Sequence, residues 1–371
     1  MPKQDAENRK RGAALHQRVI EFINSPAAAT DDAFNQLALD IWRFQIETNE
    51  FYRRFSAAAR APEPQSWREI LPLPAAAFKR GEIRCFPPQD SKTFFETSGT
   101  TEAETGRHYF STLEIYETAL MATFRKFVSP DLDKARCLIL TPPPSEVPRS
   151  SLVHMMQTLV THLGTQESSY YVTGNDLQSE SLIEDLATSE KQGQPILLMG
   201  TAFAFVHALD AAVQAGRTFA LPAGSRIMET GGFKGRTREI PRLEFYRQLS
   251  AVFGIPEWRI INEYGMTELS SQFYDRSLVD ETPGCLKVDS HWTRVLAVDP
   301  DSGRPVEPGR PGLLRIMDLA NLGSVIALQT EDVGVIHDRG FEVRGRVPRS
   351  TPRGCSLPAE HYKSQIRGKA T

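Results

Sequence analysis

The 371-residue sequence predicts an α/β protein with a helical N-terminal part and a β-rich end. Two observations carry this. Short apolar runs at Cys137–Leu140, Ile196–Met199, Arg226–Met228 and Arg259–Ile261 alternate with stretches of helical periodicity, the pattern of strands joined by helices. From about Leu296 the texture changes to short strands separated by Gly and Pro, which reads as a small barrel or an added sheet.

Residues 1–60 read as helices. Thr30-Asp31-Asp32 is a capping signal, followed by Phe34, Leu37, Ile41 and Phe44 at helical spacing. The aromatic group Trp42, Phe44, Phe51, Tyr52 and Phe55 reads as core. Pro62, Pro64, Pro72 and Pro74 break the helices and begin an extended passage. The Cys137–Leu140 strand is stopped by Pro142-Pro143-Pro144, and a helix follows from about Ser150 with Leu152, Met155, Met156 and Leu159 on one side. Tyr170–Val172 is a further strand. Ile196–Met199 leads into a helix capped by Thr201, with Phe205, Leu209 and Val213 on one face. The β-rich end offers strands at Gly312–Met317, Ser324–Leu328, Gly334–Ile336 and Phe341–Val343.

Composition narrows the function. A net charge of −3 argues against a general nucleic-acid binder. Cys85, Cys137, Cys285 and Cys355 lie far apart without C-x-x-C or metal spacing, as expected of reduced thiols in a cytosolic protein. Met1–Arg11 lacks the apolar segment of a signal peptide. The apolar passage Ile196–Val213 contains Gly200, Thr201, His207 and Asp210 and is a poor membrane span. A cytoplasmic protein without stable membrane insertion is expected.

Three loops carry candidate chemistry. Phe95–Arg107 contains Thr97-Ser98-Gly99-Thr100-Thr101, a run that offers backbone N–H groups, hydroxyls and glycine freedom. That suits a polyphosphate, although a Ser/Thr-rich surface turn reads equally well from this segment alone. It is not a Walker A loop, since the chain's Gly-Lys pair, Gly368-Lys369, is followed by Ala370. Glu229-Thr230-Gly231-Gly232 follows a strand, and its glycines let backbone approach a flat ligand. Asn262-Glu263-Tyr264-Gly265-Met266-Thr267-Glu268 also follows a strand. There an adenine can stack on Tyr264, Thr267 can donate to a phosphate and Glu268 can hold Mg²⁺, against the plainer reading of a capped strand-to-helix turn. Thr330-Glu331-Asp332 adds a carboxylate suited to ribose hydroxyls, or a plain acidic turn.

In this order, with Gly345-Arg346 after them, the loops resemble those of the adenylate-forming enzymes, which activate carboxylic acids with ATP. The sequence is most similar to the acyl-protein synthetases of bacterial fatty-acid reductase complexes. Leu71-Pro72-Leu73-Pro74, Phe78-Lys79, Pro142-Pro143-Pro144-Ser145, Glu229–Arg236, Asp318-Leu319-Ala320-Asn321 and Arg353-Gly354-Cys355 look like that family's signatures, and the likeness covers essentially the whole chain. The resemblance implies that Thr97, Ser98, Gly99, Thr100 and Thr101 wrap the β- and γ-phosphates. It implies that Gly231 and Gly232 flank the adenine, Tyr264 stacks on it and Gly265 belongs to the same ATP contact. Thr267 then meets the α-phosphate, Glu268 binds Mg²⁺, Asp332 holds the ribose and Arg346 closes over the nucleotide.

Two departures from the superfamily pattern stand out. Glu102 and Thr105 occupy positions where a glycine and a lysine are usual, with Arg107 nearby as a substitute cation; Glu102 is expected to face solvent. The expected organisation is one adenylate-forming domain over 1–346 and a short tail over 347–371, without the usual full C-terminal lid. The adenylation lysine is left unassigned, with Lys363 and Lys369 as weak candidates.

Cys355 lies in that tail among Arg349, Arg353, Lys363 and Arg367, which favour thiolate over thiol. The resemblance makes it the acyl acceptor, which passes its thioester to a partner acyl reductase. The expected function is thus ATP- and Mg²⁺-dependent activation of a fatty acid and transfer to Cys355, in a chain that can oligomerise. The alternatives are a coenzyme A ligase like the phenylacetate–CoA ligases, or a nucleotide-binding protein without chemistry. Cys85, Cys137 and Cys285 are assigned to packing. His154, Phe203, Phe205 and the Met155/Met156 pair read as core residues, with an acyl-lining role as the alternative.

Overall fold

The computed structural model describes residues 2–97, 105–231 and 240–346. In chain order its first elements are α1 (Pro2–Asn24), α2 (Asp31–Thr48), α3 (Glu50–Ala58), β1 (Leu73–Pro74), β2 (Thr93–Glu96), β3 (Arg107–Phe110) and α4 (Glu114–Phe127). There follow β4 (Arg136–Leu140), α5 (Ser151–Leu163), β5 (Ser169–Tyr170), β6 (Val172–Thr173), β7 (Asp176–Leu177), α6 (Ser179–Gln192), β8 (Ile196–Thr201) and α7 (Ala202–Gln214). The remainder comprises β9 (Arg226–Thr230), α8 (Arg242–Phe253), β10 (Ile260–Tyr264), β11 (Phe273–Tyr274), α9 (Ser277–Asp280), β12 (Thr293–Val298), β13 (Pro311–Asp318), β14 (Ala327–His337) and β15 (Gly340–Arg346). These elements form two compact units. Among the described residues, one takes the chain to Ala122, with Met266–Ser271 and Val288–Arg346; the other takes Thr123–Gly265 and Gln272–Lys287.

In the first unit the Thr30 hydroxyl caps α2 by accepting from Ala33 N at 3.1 Å, and the Asn49 side chain caps α3 by accepting from Tyr52 N at 3.0 Å. The face that α2 buries is Phe34, Leu37, Ala38, Ile41 and Phe44. These residues join Trp67, Ile70, Trp292, Met317, Leu319 and Ile326 in one core. Gln45 is buried among them because it serves the loop after β13: its Nε2 donates to Asn321 O at 2.9 Å, and its Oε1 accepts from Ile326 N at 3.1 Å. The sheet runs β1-β14-β13-β12, with β15 also on β14. The β1 and β15 strands share one edge of β14, β1 parallel at Leu328–Gln329 and β15 antiparallel from Asp332 onward.

The expected strands Ser324–Leu328 and Gly334–Ile336 are therefore one. Ala327–His337 runs unbroken because β13 pairs with it on both sides of the acidic stretch, and a register shift at Val333/Gly334 absorbs the bend. Asp332 sits inside this strand rather than in a turn. Among the described residues the β-rich end is an open sheet, the second of the two expected forms.

The second unit holds the parallel strands β4, β8, β9 and β10, flanked by parallel β5 on one side and antiparallel β11 on the other. Thr201 caps α7 as expected, accepting from Ala204 N at 3.1 Å. Phe205 and Leu209 are buried, whereas Val213 is 69% exposed. Each i+4 step turns about 40° around the helix, so the buried face passes to Ala212 at i+7 and leaves Val213 to solvent. The expected strand Tyr170–Val172 is divided, Ser169–Tyr170 pairing with β4 and Val172–Thr173 with β7.

Arg226, fully buried at the start of β9, donates to both carboxylate oxygens of Asp131 (2.6 and 2.8 Å) and to the carbonyls of Val128 and Gly224. Replacing it with Ala leaves the Val128 and Gly224 carbonyls without this donor, whereas the half-exposed Asp131 carboxylate can turn to water. Arg226→Ala is expected to cost about 2 kcal/mol, read as a fall in urea midpoint.

Candidate active site

In the first unit β2 and β3 form a hairpin with Glu96 opposite Arg107. Its neck is closed twice: Thr97 N donates to Gly106 O at 2.9 Å, and Gly106 N donates to the Thr97 hydroxyl at 2.8 Å. Position 106 has to be glycine, because a Cβ there would lie 2.9 Å from the Phe78 carbonyl carbon. That close approach packs the Phe78–Lys79 backbone against the hairpin. Arg107, expected as a substitute cation, pairs with Glu96 at 3.2 Å and lies over the Phe94 ring. Ser98, Gly99, Thr100, Thr101, Glu102, Gly232 and Cys355, together with Lys363 and Lys369, lie outside the described residues.

The Thr267–Glu268 pair is fixed to this hairpin. Thr267 Oγ1 donates to Glu96 O at 3.3 Å, and the Thr267 carbonyl accepts from His108 Nδ1 at 2.8 Å. His108 is buried against Phe78 and Phe110, and burial pushes its pKa down to about 4. It is therefore a neutral imidazole whose Nδ1 carries the proton. The Glu268 carbonyl accepts from Asn321 Nδ2 at 2.9 Å. Its carboxyl is pushed up to about 7 by burial, with Arg346 and Lys79 pulling it down and Asp332 raising it further.

One residue further along, Leu269 leads into Ser270 and Ser271, which bind Asp318: Ser270 N donates to Oδ2 at 3.0 Å and the Ser271 hydroxyl to Oδ1 at 2.7 Å. Burial raises Asp318 to about 6. Asp332 and Arg346 face each other across β14 and β15, with Nε donating to Oδ1 at 2.8 Å; Asp332 is buried and Arg346 exposed. Thr97, Thr267, Glu268, Asp332 and Arg346, five of the sequence-predicted residues, thus belong to one unit.

The other three described candidates, Gly231, Tyr264 and Gly265, belong to the second unit, at the carboxyl ends of parallel strands β9 and β10. Open parallel sheets bind ligands at such strand ends. Gly231 has φ +80°, and no described atom lies within 4 Å of its Cβ position. Tyr264 lies half-buried with its ring 6.1 Å from that of Phe273. Gly265 leaves room for Glu263, whose Oε1 would lie 2.4 Å from a Cβ.

Beneath them runs a buried polar network. Glu229 accepts from Tyr246 OH at 2.8 Å and Asn262 Nδ2 at 2.6 Å, Thr230 donates to Glu263, and Lys287 is ion-paired with Asp275. Burial raises Glu263 to about 7. Ionised Glu263 is thus costly in the fold, so stability falls as pH rises from the ordinary carboxyl range through 7. Glu263→Gln should raise the melting temperature at pH 8 by a few degrees, and the gain should shrink as pH falls and vanish below about 4.5.

The sequence offered no role for His108, Asn321 or Glu229. Nothing in the residue types marked His108. Phe78-Lys79, Asp318–Asn321 and Glu229 appeared only as signatures of the resembled family, and that was the signal available for them.

Among the described residues no three His, Cys, Asp or Glu side chains group as a metal site. Glu268 fits a Mg²⁺ that takes its other ligands from phosphate and water, the usual coordination of this ion beside a nucleotide. Burial pushes the Cys85 thiol up to about 12 and the Cys137 thiol up to about 11, so neither is a nucleophile at neutral pH, in line with packing roles. No helix among the described residues is long and apolar enough to cross a membrane.

The family profile described as Acyl-protein synthetase, LuxE, matches residues 23–361. The chain belongs to that family, a family of ligases. Two relatives of these acyl-protein synthetases carry the name long-chain-fatty-acid–luciferin-component ligase. The Aliivibrio fischeri protein is 22% identical over 339 residues, covering 87% of this chain and 86% of its own length. The Vibrio harveyi protein is 24% identical over 202 residues, so the chain spans about half, 51%, of that relative.

Among solved structures, the open conformation of 2-hydroxyisobutyryl-CoA ligase in complex with 2-HIB-AMP and CoA superposes with TM-score 0.65 at 14% identity. It covers 88% of this chain and 72% of the ligase. The same ligase in its thioesterification state gives TM-score 0.64 at 15% identity, over 89% and 71%. The acyl-protein synthetase fold here is that of the adenylate-forming enzymes, as the loop order implied.

Proposed function

We propose that this acyl-protein synthetase activates a fatty acid with ATP and Mg²⁺ as acyl-AMP, then carries the acyl group on Cys355 to a partner acyl reductase. Membership of the family and the fatty-acid ligase names of its relatives support the substrate class. The observation that carries the site is Thr267–Glu268 clamped to the β2–β3 hairpin through His108 and Glu96, with Lys79 and Arg346 acting on the Glu268 carboxyl.

In the first step a carboxylate oxygen of the acid attacks the α-phosphorus, the bond to the bridging oxygen breaks, and pyrophosphate leaves. Thr267 donates to the α-phosphate as charge builds on it, and Thr97–Thr101 hold the departing phosphates. Bound Mg²⁺ would supply charge neutralisation there, with Glu268 as its protein ligand. Asp332, already bonded to Arg346, accepts from the ribose hydroxyls, and Arg346 closes over the nucleotide. Tyr264 stacks on the adenine, with Gly231 and Gly232 flanking it and Gly265 in the same contact. In the second step the Cys355 thiolate attacks the acyl carbon, the carbon–oxygen bond to AMP breaks, and a thioester forms as AMP leaves.

The test is intact mass after incubation with Mg-ATP and a panel of fatty acids, with and without hydroxylamine. A hydroxylamine-labile acyl adduct is expected. No adduct, together with AMP formation on adding coenzyme A, would replace this reading with a coenzyme A ligase.

A further inference from the structure

The turn Ala75–Lys79 is held at both ends within the first unit. Just before it, β1 pairs with β14 at Leu328–Gln329, on the strand that carries Asp332. At its far end the backbone lies against the neck of the β2–β3 hairpin, where a Cβ at position 106 would come 3.0 Å from Lys79 N. The Phe78 ring packs edge-on against His108, with 5.4 Å between centroids, and His108 bonds the Thr267 carbonyl. Lys79 is thus rooted beside the segment that carries Thr267 and Glu268.

The charge balance around it points the same way. Lys79 is half-buried, and among the described residues its side chain makes no ion pair and no hydrogen bond. The Glu268 carboxyl feels its charge together with that of Arg346. Arg107 and Arg346 each hold a carboxylate already, Glu96 and Asp332 respectively. A partly desolvated ammonium without a counter-ion is costly until an anion reaches it.

We propose that Lys79 is a catalytic residue of the adenylation step, its ammonium donating to a non-bridging oxygen of the α-phosphate. The inference rests on the adenylation reading of the reaction. As the carboxylate oxygen adds to the α-phosphorus and the bond to pyrophosphate breaks, negative charge grows on those oxygens. A fixed ammonium beside them stabilises the transition state more than the resting ATP complex, and no proton moves.

Two measurements on the full chain test it. First, lysines are reductively methylated with formaldehyde and cyanoborohydride, and the rate at Lys79 is followed by peptide mass. AMP carries the α-phosphate alone, so at several times its Kd it should slow modification of Lys79 about fivefold, as the free fraction of the site falls. Protection by ATP but not by AMP, or by neither, would overturn the assignment.

Second, fatty-acid-dependent pyrophosphate exchange is compared for wild type, Lys79→Met and Lys79→Arg. Methionine keeps an apolar stem and removes the charge. Its kcat should fall about 10²-fold while KM for ATP changes less than about fivefold, the mark of an interaction strongest in the transition state. Arginine returns the charge in a wider fork and should recover about a tenth of wild-type kcat. Exchange by Lys79→Met within about threefold of wild type would remove Lys79 and leave the adenylation reading standing, since a group aimed at developing charge is worth far more. Protection of Lys79 by AMP in a wild-type protein with no acid-dependent exchange would keep the phosphate contact and sink the adenylation reading instead.

Discussion

Cys355→Ser is expected to abolish the hydroxylamine-labile acyl adduct completely while leaving fatty-acid-dependent pyrophosphate exchange within about twofold of wild type. The two activities separate because they use different atoms. Exchange needs the carboxylate, the α-phosphate and the groups around Thr267 and Glu268. The adduct needs a thiolate that survives as a thioester, and a serine ester would resist hydroxylamine under mild conditions. Among the remaining cysteines, burial raises Cys85 and Cys137 far above neutral pH, so the described core offers no substitute thiolate from either. On the proposed reading Cys355 has Arg349, Arg353, Lys363 and Arg367 near it in sequence, residue types that would favour the thiolate. Loss of both activities would mean that the cysteine is needed for adenylation itself, and the two-step scheme would fall. An adduct that persists in Cys355→Ser, mapped to Cys285, would move the acceptor.

The fold was legible where local chemistry and burial agree. Thr30 and Thr201 cap the helices they were expected to cap, and the strands at Cys137, Ile196 and Arg226 are buried along their length because helices cover a parallel sheet. Legibility failed where a partner decides. Residues 329–333 look like a turn in isolation, with Thr330, Glu331 and Asp332 in succession, yet β13 and β15 supply hydrogen bonds on either side and hold them extended. Val213 looked like core because an apolar residue at i+8 sits near the stripe, and only the angular drift from Phe205 separates the two outcomes.

The candidate site was legible as a set of loops, through their order and the family likeness. The links between loops were not, because a single buried histidine carries no mark in sequence. His108 becomes meaningful once the Thr267 carbonyl is found 2.8 Å from its ring nitrogen, some distance along the chain. The same holds for Glu229 and Glu263, which read as a polar loop and prove to be the buried support beneath Tyr264 and Gly265.

Glu268→Gln should raise stability and remove activity together. Burial lifts the Glu268 carboxyl from 4.5 to about 7, against the pull of Arg346 and Lys79. The folded state therefore prefers the protonated acid, while the unfolded chain ionises at the ordinary value. Between those two values folding binds a proton, so wild-type stability declines as pH rises from about 4.5 through 7. Glutamine imitates the protonated acid at every pH. Its melting temperature should exceed wild type at pH 8 and converge with it near pH 4.5. The same neutral side chain cannot serve as the carboxylate ligand of a hard cation beside the phosphates. Acid-dependent pyrophosphate exchange should fall by about 10²-fold or more at pH 8, on the scale of removing one group aimed at developing charge. Mg²⁺ should also add less to ATP-induced thermal stabilisation in the variant than in wild type, a readout independent of turnover. Exchange within a few-fold of wild type would remove Glu268 from the site. A variant that loses exchange while melting below wild type at pH 8 would show that the carboxylate holds the fold through its cationic neighbours rather than carrying the reaction.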